Sequence, residues 1–521
     1  MKKYYITTPI YYVNDTPHIG HAYTTVAADV LSRYHRLRGE DVYFLTGTDE
    51  HGSKIEQAAQ KAGTSPKEFA DHISSEFRKA WEELGISFSG FIRTTDPKHE
   101  SAVKSFLQKL FDKGLIYKGN YSGLYCVGCE KYLGEADLDE QKCCPDHKTR
   151  PEEHSEENYF FKLSAFQDEL LARITDESNP GHIAIYPVER RNEIAGKLKA
   201  NKLEDISMSR SDLKWGIPLP FDEKQTAYVW VDALLNYITA IGFEDNSELF
   251  KKLWPADCQL MAKDILWFHS VIWPAMLLGA GLPLPKKVFA HGFFTIDGQK
   301  MSKSIGNVIR PQELSAMFGA DAARYLVLSL FPFGADGDIS WQALKDKYNT
   351  DLANNLGNLV NRTLDMLEKF SAKLIPEPAA ASTAPACADT ILSQMGSSEL
   401  LLENLEFHRY IAALQMSLNS ANQYIQQTAP WKMAKENNPE LPAVLFNMAA
   451  NLKALTVYAL PFMPNICKSI WAQLGESEDI ESVAREYLSS ADRNKSKNIL
   501  SPRPGTATQK GGILFPRLEK K

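Results

Sequence analysis

A β-prone run at residues 4–7 leads through the turn His18-Ile19-Gly20-His21 into an amphipathic helix, and this junction constrains the fold most. The helix carries Ala22, Val26, Ala27, Val30, Leu31 and Tyr34 on one side, the spacing of a helix laid on a sheet. Gly39 is placed to end it. The two histidines thus lie three apart at a helix N-terminus, where unpaired N–H groups and the helix dipole favour anions. Gly20 leaves no side chain between a nucleotide and the backbone. Taken alone, the stretch reads equally as a surface turn with two ordinary histidines.

The alternation continues. Residues 42–45 read as a second strand that runs into Thr48-Asp49-Glu50-His51-Gly52. Helices are expected from Lys54 and from Pro66, which follows a capping Ser65. Residues 91–94 form a third strand, and Asp96-Pro97 opens a helix ending near Gly114. Strands alternating with helices predict an α/β fold, a Rossmann-type doubly wound parallel sheet whose ligands sit beyond the strand C-termini. The histidine turn occupies that place.

A second motif, Lys300-Met301-Ser302-Lys303-Ser304, lies between Gly298 and Gly306. Two lysines three apart on a glycine-bounded loop suit a mobile clamp on a polyphosphate. A solvated basic loop is the plain alternative. Between the two motifs, residues 117–221 interrupt the alternation with Cys126-Val127-Gly128-Cys129 and Cys144-Pro145-Asp146-His147. Cys126, Cys129, Cys144 and His147 can surround one zinc ion, Zn2+, and four protein ligands make the site structural. Cys143 competes with Cys144, which keeps the regular gap to His147. A cluster of buried thiols is the other reading.

Lys2 and Lys3 precede no apolar leader, so the 7 cysteines are not expected to form disulfides and a cytoplasmic protein is expected. The formal net charge of -7 speaks against general adhesion to nucleic acid, yet a local basic surface suffices to bind phosphates. The most apolar stretch, 271–284, is short and broken by Pro274 and Pro283, which fits a buried helix and no membrane span.

Trp215-Gly216-Ile217-Pro218 marks a return to the sheet. Residues 226–231 read as a buried strand, followed by a helix with Asp232, Ala233 and Tyr237. An apolar helix over 265–278 carries His269 and Trp273 at a spacing that core packing alone explains. Beyond the lysine loop, helices are expected at 341–370, 388–405, 410–427 and 441–460, with an Ala/Pro-rich connection over 375–386. Pro430-Trp431-Lys432 sits at a bend. The tail 489–509 is polar and expected to be mobile, and 511–518 ends it with an apolar run.

The two signatures, in this order, resemble the His-Ile-Gly-His and Lys-Met-Ser-Lys-Ser motifs of class I aminoacyl-tRNA synthetases. Thr8-Pro9-Ile10-Tyr11-Tyr12, Thr48-Asp49-Glu50-His51-Gly52 and Tyr228-Val229-Trp230-Val231-Asp232-Ala233 narrow the resemblance. So do Phe268-His269-Ser270 with Trp273, Asn358-Leu359-Val360-Asn361-Arg362 and Ala429-Pro430-Trp431. Together they are most similar to the bacterial methionyl-tRNA synthetase family, in its single-knuckle form with a histidine as fourth zinc ligand. One departure stands out. Where that family usually reads His-x-Ile-Gly-Lys-Asp, this chain has Gln259-Leu260-Met261-Ala262-Lys263-Asp264.

The resemblance implies a ligase that activates L-methionine with ATP and passes it to tRNA(Met), serving initiation and elongation of translation. It implies catalytic roles for His18, His21, Lys300 and Lys303, and ATP contacts from these with Gly20 and Asp264, magnesium (Mg2+) arriving with ATP. It places Ile10, Tyr12, Asp49, Trp230, Ala233, Tyr237, His269 and Trp273 around methionine, and Asn358, Arg362 and Trp431 on the anticodon. The implied domains are a Rossmann domain at 1–116 and 225–297, split by a zinc-bearing insertion at 117–224. A stem-contact region at 298–345, an all-α anticodon-binding bundle at 346–488 and a tail at 489–521 follow. The dimerisation extension of some relatives has no counterpart after Leu518, and a monomer is expected. A cysteinyl enzyme would carry a cysteine near Thr8 and Pro9, and the isoleucine, leucine and valine enzymes need a larger insertion. A zinc-containing RNA-binding protein is the alternative outside the enzymes.

Overall fold

The computed structural model describes residues 2–126, 131–134, 138–145, 148–301, 306–378, 384 and 388–519. A parallel sheet of six strands runs in the order Gly90–Arg93, Asp41–Asp49, Lys3–Tyr12, Cys258–Ala262, Lys287–His291, Ala184–Tyr186. From Lys3–Tyr12 the chain first builds outward to one side, and after residue 257 it builds to the other. The crevice between Lys3–Tyr12 and Cys258–Ala262 is therefore the point where the winding reverses, the usual ligand position in such sheets. Ile6 and Cys258 face one core with the helix Ile19–Leu37. Tyr5, Leu45 and Met261 face another, built with the helices Pro97–Asp112 and Val229–Thr239. The doubly wound expectation holds. The edge strand Ala184–Tyr186 comes from the middle of the interrupting segment, which also forms an antiparallel sheet around Ile116–Cys126 and Glu152–Phe161.

Two local expectations fail for stated reasons. The β-branched run at 226–231 suggested a strand, but the strand Asp222–Ala227 stops there and the helix Val229–Thr239 begins. Asp232 in the first helical turn is held from outside by two histidines, a tertiary anchor that β-propensity does not register. The region 265–278 is not one α-helix. It comprises a 3-10 turn at Lys263–Ile265, a π-helical turn at Phe268–Ile272 and an α-helix at Trp273–Ala280. Pro274 lacks an N–H and would clash with a carbonyl one turn back, so the chain inserts a residue ahead of it.

The C-terminal half is helical, as expected. Trp341–Lys347 continues through a π-helical stretch, Tyr348–Gly357, into Asn358–Phe370, and the bundle adds Ala388–Glu403, Phe407–Thr428 and Leu441–Ala459. The tail differs from expectation. Arg493 donates to the buried Glu399, Ala507 bridges to Leu374, and Phe515 is buried against the bundle. Its polar composition hid these anchors, because their partners lie far away in sequence. Most of the Ala/Pro-rich connection lies outside the described residues.

One buried arginine joins the two halves. Arg324 pairs with Asp29 of the first helix at 2.7 Å and donates to the carbonyls of Pro461 and Phe462, each at 3.0 Å. Burial raises the Asp29 pKa, but Arg324 and Arg33 outweigh it and hold this carboxyl below the usual range. Breaking such a buried pair costs about 3–5 kcal/mol. Asp29 shares its helix with His18 and His21.

Candidate functional site

The histidine turn is self-capped. His18 is the N-cap of Ile19–Leu37, and its Nδ1 accepts from the Gly20 N–H at 3.1 Å. The Nδ1 of His21 accepts from the His18 N–H at 3.3 Å, and the two rings stack at 3.7 Å. With both Nδ1 atoms accepting, each neutral ring carries its proton on Nε2 as a donor. Burial lowers both pKa values, that of His18 to about 4, and His21 is lowered further by its neighbour. Two neutral N–H donors therefore sit at the dipole end of a long helix. A β-carbon on Gly20 would meet the His18 ring at 2.9 Å, so this arrangement requires glycine.

The lysine loop lies beside this turn. Phe294–Ile296 and Gln299–Lys300 form a hairpin around Asp297 and Gly298, both at positive φ, and Asp338 accepts from the Gly298 N–H at 2.7 Å. The Met301 methyl lies 3.9 Å from the place a β-carbon would take on Gly20. After the loop, the Ile309 carbonyl accepts from the Ile19 N–H at 2.8 Å. The two motifs, nearly three hundred residues apart, are thus in contact. Lys303 lies outside the described residues.

A cleft of about 770 Å³, its open mouth included, is lined by Ile10, Tyr12, Asp49, Trp230, Ala233 and Tyr237. His269 and Asp264 line it too. Trp273 is not a lining residue; it is fully buried, with its ring 6.0 Å from that of Tyr237. The His269 Nδ1–H donates to the Ile265 carbonyl at 2.9 Å, so its Nε2 accepts from the Tyr237 hydroxyl at 2.7 Å. Burial pushes the His269 pKa down to about 4 and keeps the ring neutral. The π-helical turn is what carries His269 to this position, and Trp230 stacks on Phe268 at 4.0 Å. Lys54 and Asn236 also line the cleft and were missed, since neither stands out from its helix in the sequence.

Gln259, a departure noted in the sequence, is fully buried, and its amide has no hydrogen-bond partner among the described residues. Ala262 caps the 3-10 turn that holds Asp264. Sequence reasoning also missed a network behind the cleft, in which His51 and His99 both bond Asp232. Only paired distances reveal it.

In the interrupting segment, Cys126 and Cys144 are buried in one small cluster with Leu133, apart from the main cores. Cys143 is partly exposed, with its Sγ directed to the Gln141 carbonyl at 3.7 Å. Cys129 and His147 lie outside the described residues. Among the described residues, no group of three or more metal-ligating side chains comes together.

In the bundle, Asn358 donates to Asn422 at 3.1 Å and Arg362 to Gln426 at 3.3 Å. The Arg362 guanidinium lies 6.0 Å from the centre of the Trp431 ring. Trp431 is only partly buried, beside Ala429 at positive φ and the buried Pro430. The three residues expected to meet an anticodon therefore share one face.

Two family models match this chain. The one described as tRNA synthetases class I (M) covers residues 4–150 and 136–364, and the anticodon binding domain of methionyl tRNA ligase covers 375–495. Fold and cleft together define a class I tRNA synthetase. The methionine–tRNA ligase of Streptomyces coelicolor is 44% identical over 535 residues, spanning 100% of this chain and 97% of that protein. That of Caldanaerobacter subterraneus is 45% identical over 525 residues, spanning 99% of this chain and 79% of that protein. A structure of Mycobacterium tuberculosis methionyl-tRNA synthetase in complex with methionyl-adenylate matches with a TM-score of 0.91 at 38% identity, over 99% of this chain and 100% of that one. The chain belongs to the methionine–tRNA ligase family. Among the described residues, no helix is long and apolar enough to cross a membrane.

Proposed function

We propose that this cleft joins L-methionine to the α-phosphate of ATP and then passes the methionyl group to tRNA(Met). The observation that carries the reading is that an aromatic cleft holding Asp49 and Asp264 and the two-histidine helix end both belong to the side of the sheet where its winding reverses. Asp49 pairs with the α-ammonium. Ile10, Tyr12, Trp230, Ala233, Tyr237 and His269 enclose the thioether, with Trp273 packed behind Tyr237. A thioether is a weak acceptor with a polarizable sulfur, so shape and aromatic contact select it.

In the first step a methionine carboxylate oxygen bonds the α-phosphorus as the bond to pyrophosphate breaks. The Nε2–H groups of His18 and His21 donate to phosphate oxygens as negative charge builds, and Lys300 and Lys303 hold the departing pyrophosphate. Gly20 lets the nucleotide approach, and Asp264 accepts from the ribose hydroxyls. Magnesium arriving with ATP would supply neutralisation of phosphate charge. In the second step the terminal adenosine hydroxyl of the tRNA takes the acyl group and AMP leaves. Asn358 and Arg362 read polar base edges while Trp431 stacks on an anticodon base.

Cys126, Cys129, Cys144 and His147 hold a structural zinc ion, and the clustering of Cys126 with Cys144 supports that assignment. The catalytic halves at 1–116 and 225–297, the insertion at 117–224, the stem-contact region at 298–345, the bundle at 346–488 and the tail at 489–521 then act as one monomer in the cytoplasm. Pyrophosphate exchange over a panel of amino acids tests the reading. Exchange driven by methionine is the expected result; exchange driven by cysteine or isoleucine overturns it.

A further inference from the structure

Behind the cleft, a single carboxylate ties together three elements. Asp232 lies on the helix Val229–Thr239, is 1% exposed and does not line the cleft. Its Oδ2 is 2.7 Å from the Nδ1 of His51, and its Oδ1 is 2.6 Å from the Nε2 of His99. The Nδ1 of His99 is in turn 2.7 Å from the Thr239 hydroxyl on the same helix as Asp232. His51 follows the strand Asp41–Asp49 by two residues, and His99 is in the helix Pro97–Asp112.

Each carboxylate oxygen takes one ring N–H, so the position of Asp232 is fixed from two sides by charge-assisted bonds. The edge of Trp215 closes over the His51 ring at 5.5 Å, which keeps water from competing. The charged groups facing His51 are Asp232, Glu100 with an oxygen 3.8 Å from Nε2, and Glu50. Burial lowers the His51 pKa, but these three carboxylates outweigh it and raise it above the ordinary imidazole value.

The geometry of the cleft depends on this joint. Asp49 stands at the end of the strand that His51 follows, and Trp230, Ala233 and Tyr237 stand on the helix that carries Asp232. The distance between the ammonium partner and the wall around the side chain is set by how that strand and that helix are joined. We propose that Asp232, acting through His51 and His99, is a positioning residue for amino-acid recognition. It holds Asp49 in register with the aromatic wall without itself touching substrate. The inference rests on reading the cleft as the methionine site.

Steady-state pyrophosphate exchange separates this role from general support of the fold. In Asp232→Asn the KM for methionine should rise roughly tenfold or more, while kcat and the KM for ATP stay within about threefold. His51→Ala should repeat that rise. His51→Asn should reverse most of it, because the asparagine amide nitrogen replaces the Nδ1 donor. If Asp232→Asn does not fold, the two His51 variants carry the test. An unmoved KM for methionine in His51→Ala, or a joint loss of kcat, both KM values and the thermal midpoint that His51→Asn fails to rescue, overturns the proposal. Exchange by the unaltered protein is measured first. Its absence removes the reading of the site, and this inference with it; normal exchange with unmoved variants removes only the positioning role.

Discussion

In the catalytic half, the imidazoles of His18, His21 and His269 each have their proton assigned by a neighbour. The Nδ1 atoms of His18 and His21 accept from backbone N–H groups, whereas that of His269 donates to a backbone carbonyl, so Nε2 is a donor in the first two rings and an acceptor in the third. On the bundle the polar groups are side-chain amides bonded mostly to one another: Asn355 to Gln415 and Asn419, Asn358 to Asn422. An amide can exchange its donor and acceptor ends by a half-turn, while an imidazole held by the backbone cannot. The difference follows from the two tasks. Charge that develops during a reaction is stabilised by groups already oriented before it appears. Reading a base at equilibrium needs only matching partners and a stacking surface, and both can remain near water.

The largest test of that contrast is His21→Ala. The variant removes one oriented donor whose contact is strongest in the transition state, so adenylate formation should slow by on the order of 3 kcal/mol, roughly a hundredfold. Methionine affinity should barely change. Half of the capping box is lost as well, which costs about 1 kcal/mol of stability and is read separately from the thermal midpoint. Single-turnover adenylation at its original rate would mean that the orientation of this ring is structural decoration.

Acid should divide the molecule along the same line. His269 and His291 are both nearly fully buried in the catalytic half, and burial lowers each pKa to about 4. The unfolded chain binds these protons near pH 6.5 and the folded one does not. Their contribution to stability is therefore complete above pH 6.5 and is lost as pH falls towards 4, on the order of 3 kcal/mol each. The bundle has no such group among the described residues; His408 is lowered too, but on a more exposed surface. Hydrogen exchange at decreasing pH should open the sheet around Lys287–His291 before the helices Phe407–Thr428 and Leu441–Ala459. Simultaneous opening would indicate that the Arg324–Asp29 pair makes the two halves one cooperative unit.

What could be read from the sequence was whatever is local. The strand-turn-helix around His18 follows from period and capping, and Ser65 with Pro66 announces its helix because all the partners lie within four residues. The pocket residues came from resemblance, since Trp230, Tyr237, His269 and Trp273 have the spacing of ordinary core. What failed depended on distant partners. Neither the helix start at Val229, nor the π-helical turn under His269, nor the packed tail is written in local propensity. Gln259 shows the limit from the other side. It was visible in the sequence as a departure from the family's usual histidine, but only the strand register shows that it lies beside Thr7, fully buried.

The smallest expected effect lies on the bundle. Trp431 is partly buried, and Arg362 sits over its ring, so one part of the indole supports the bend after Ala429 while the rest is available to a base. Stacking of a base on an aromatic side chain is worth roughly 1–3 kcal/mol, so Trp431→Ala should lower kcat/KM for tRNA by about ten- to a hundredfold. Pyrophosphate exchange, which needs no tRNA, should stay within about twofold of normal. Trp431→Phe keeps a stacking face and should recover most of the loss, which a purely volumetric role for the indole would not predict as well. The outcome that breaks the comparison is an equal fall in both assays. The indole would then be a core residue whose removal is felt in the cleft through Arg324 and the first helix, and the two regions would not be separable in function.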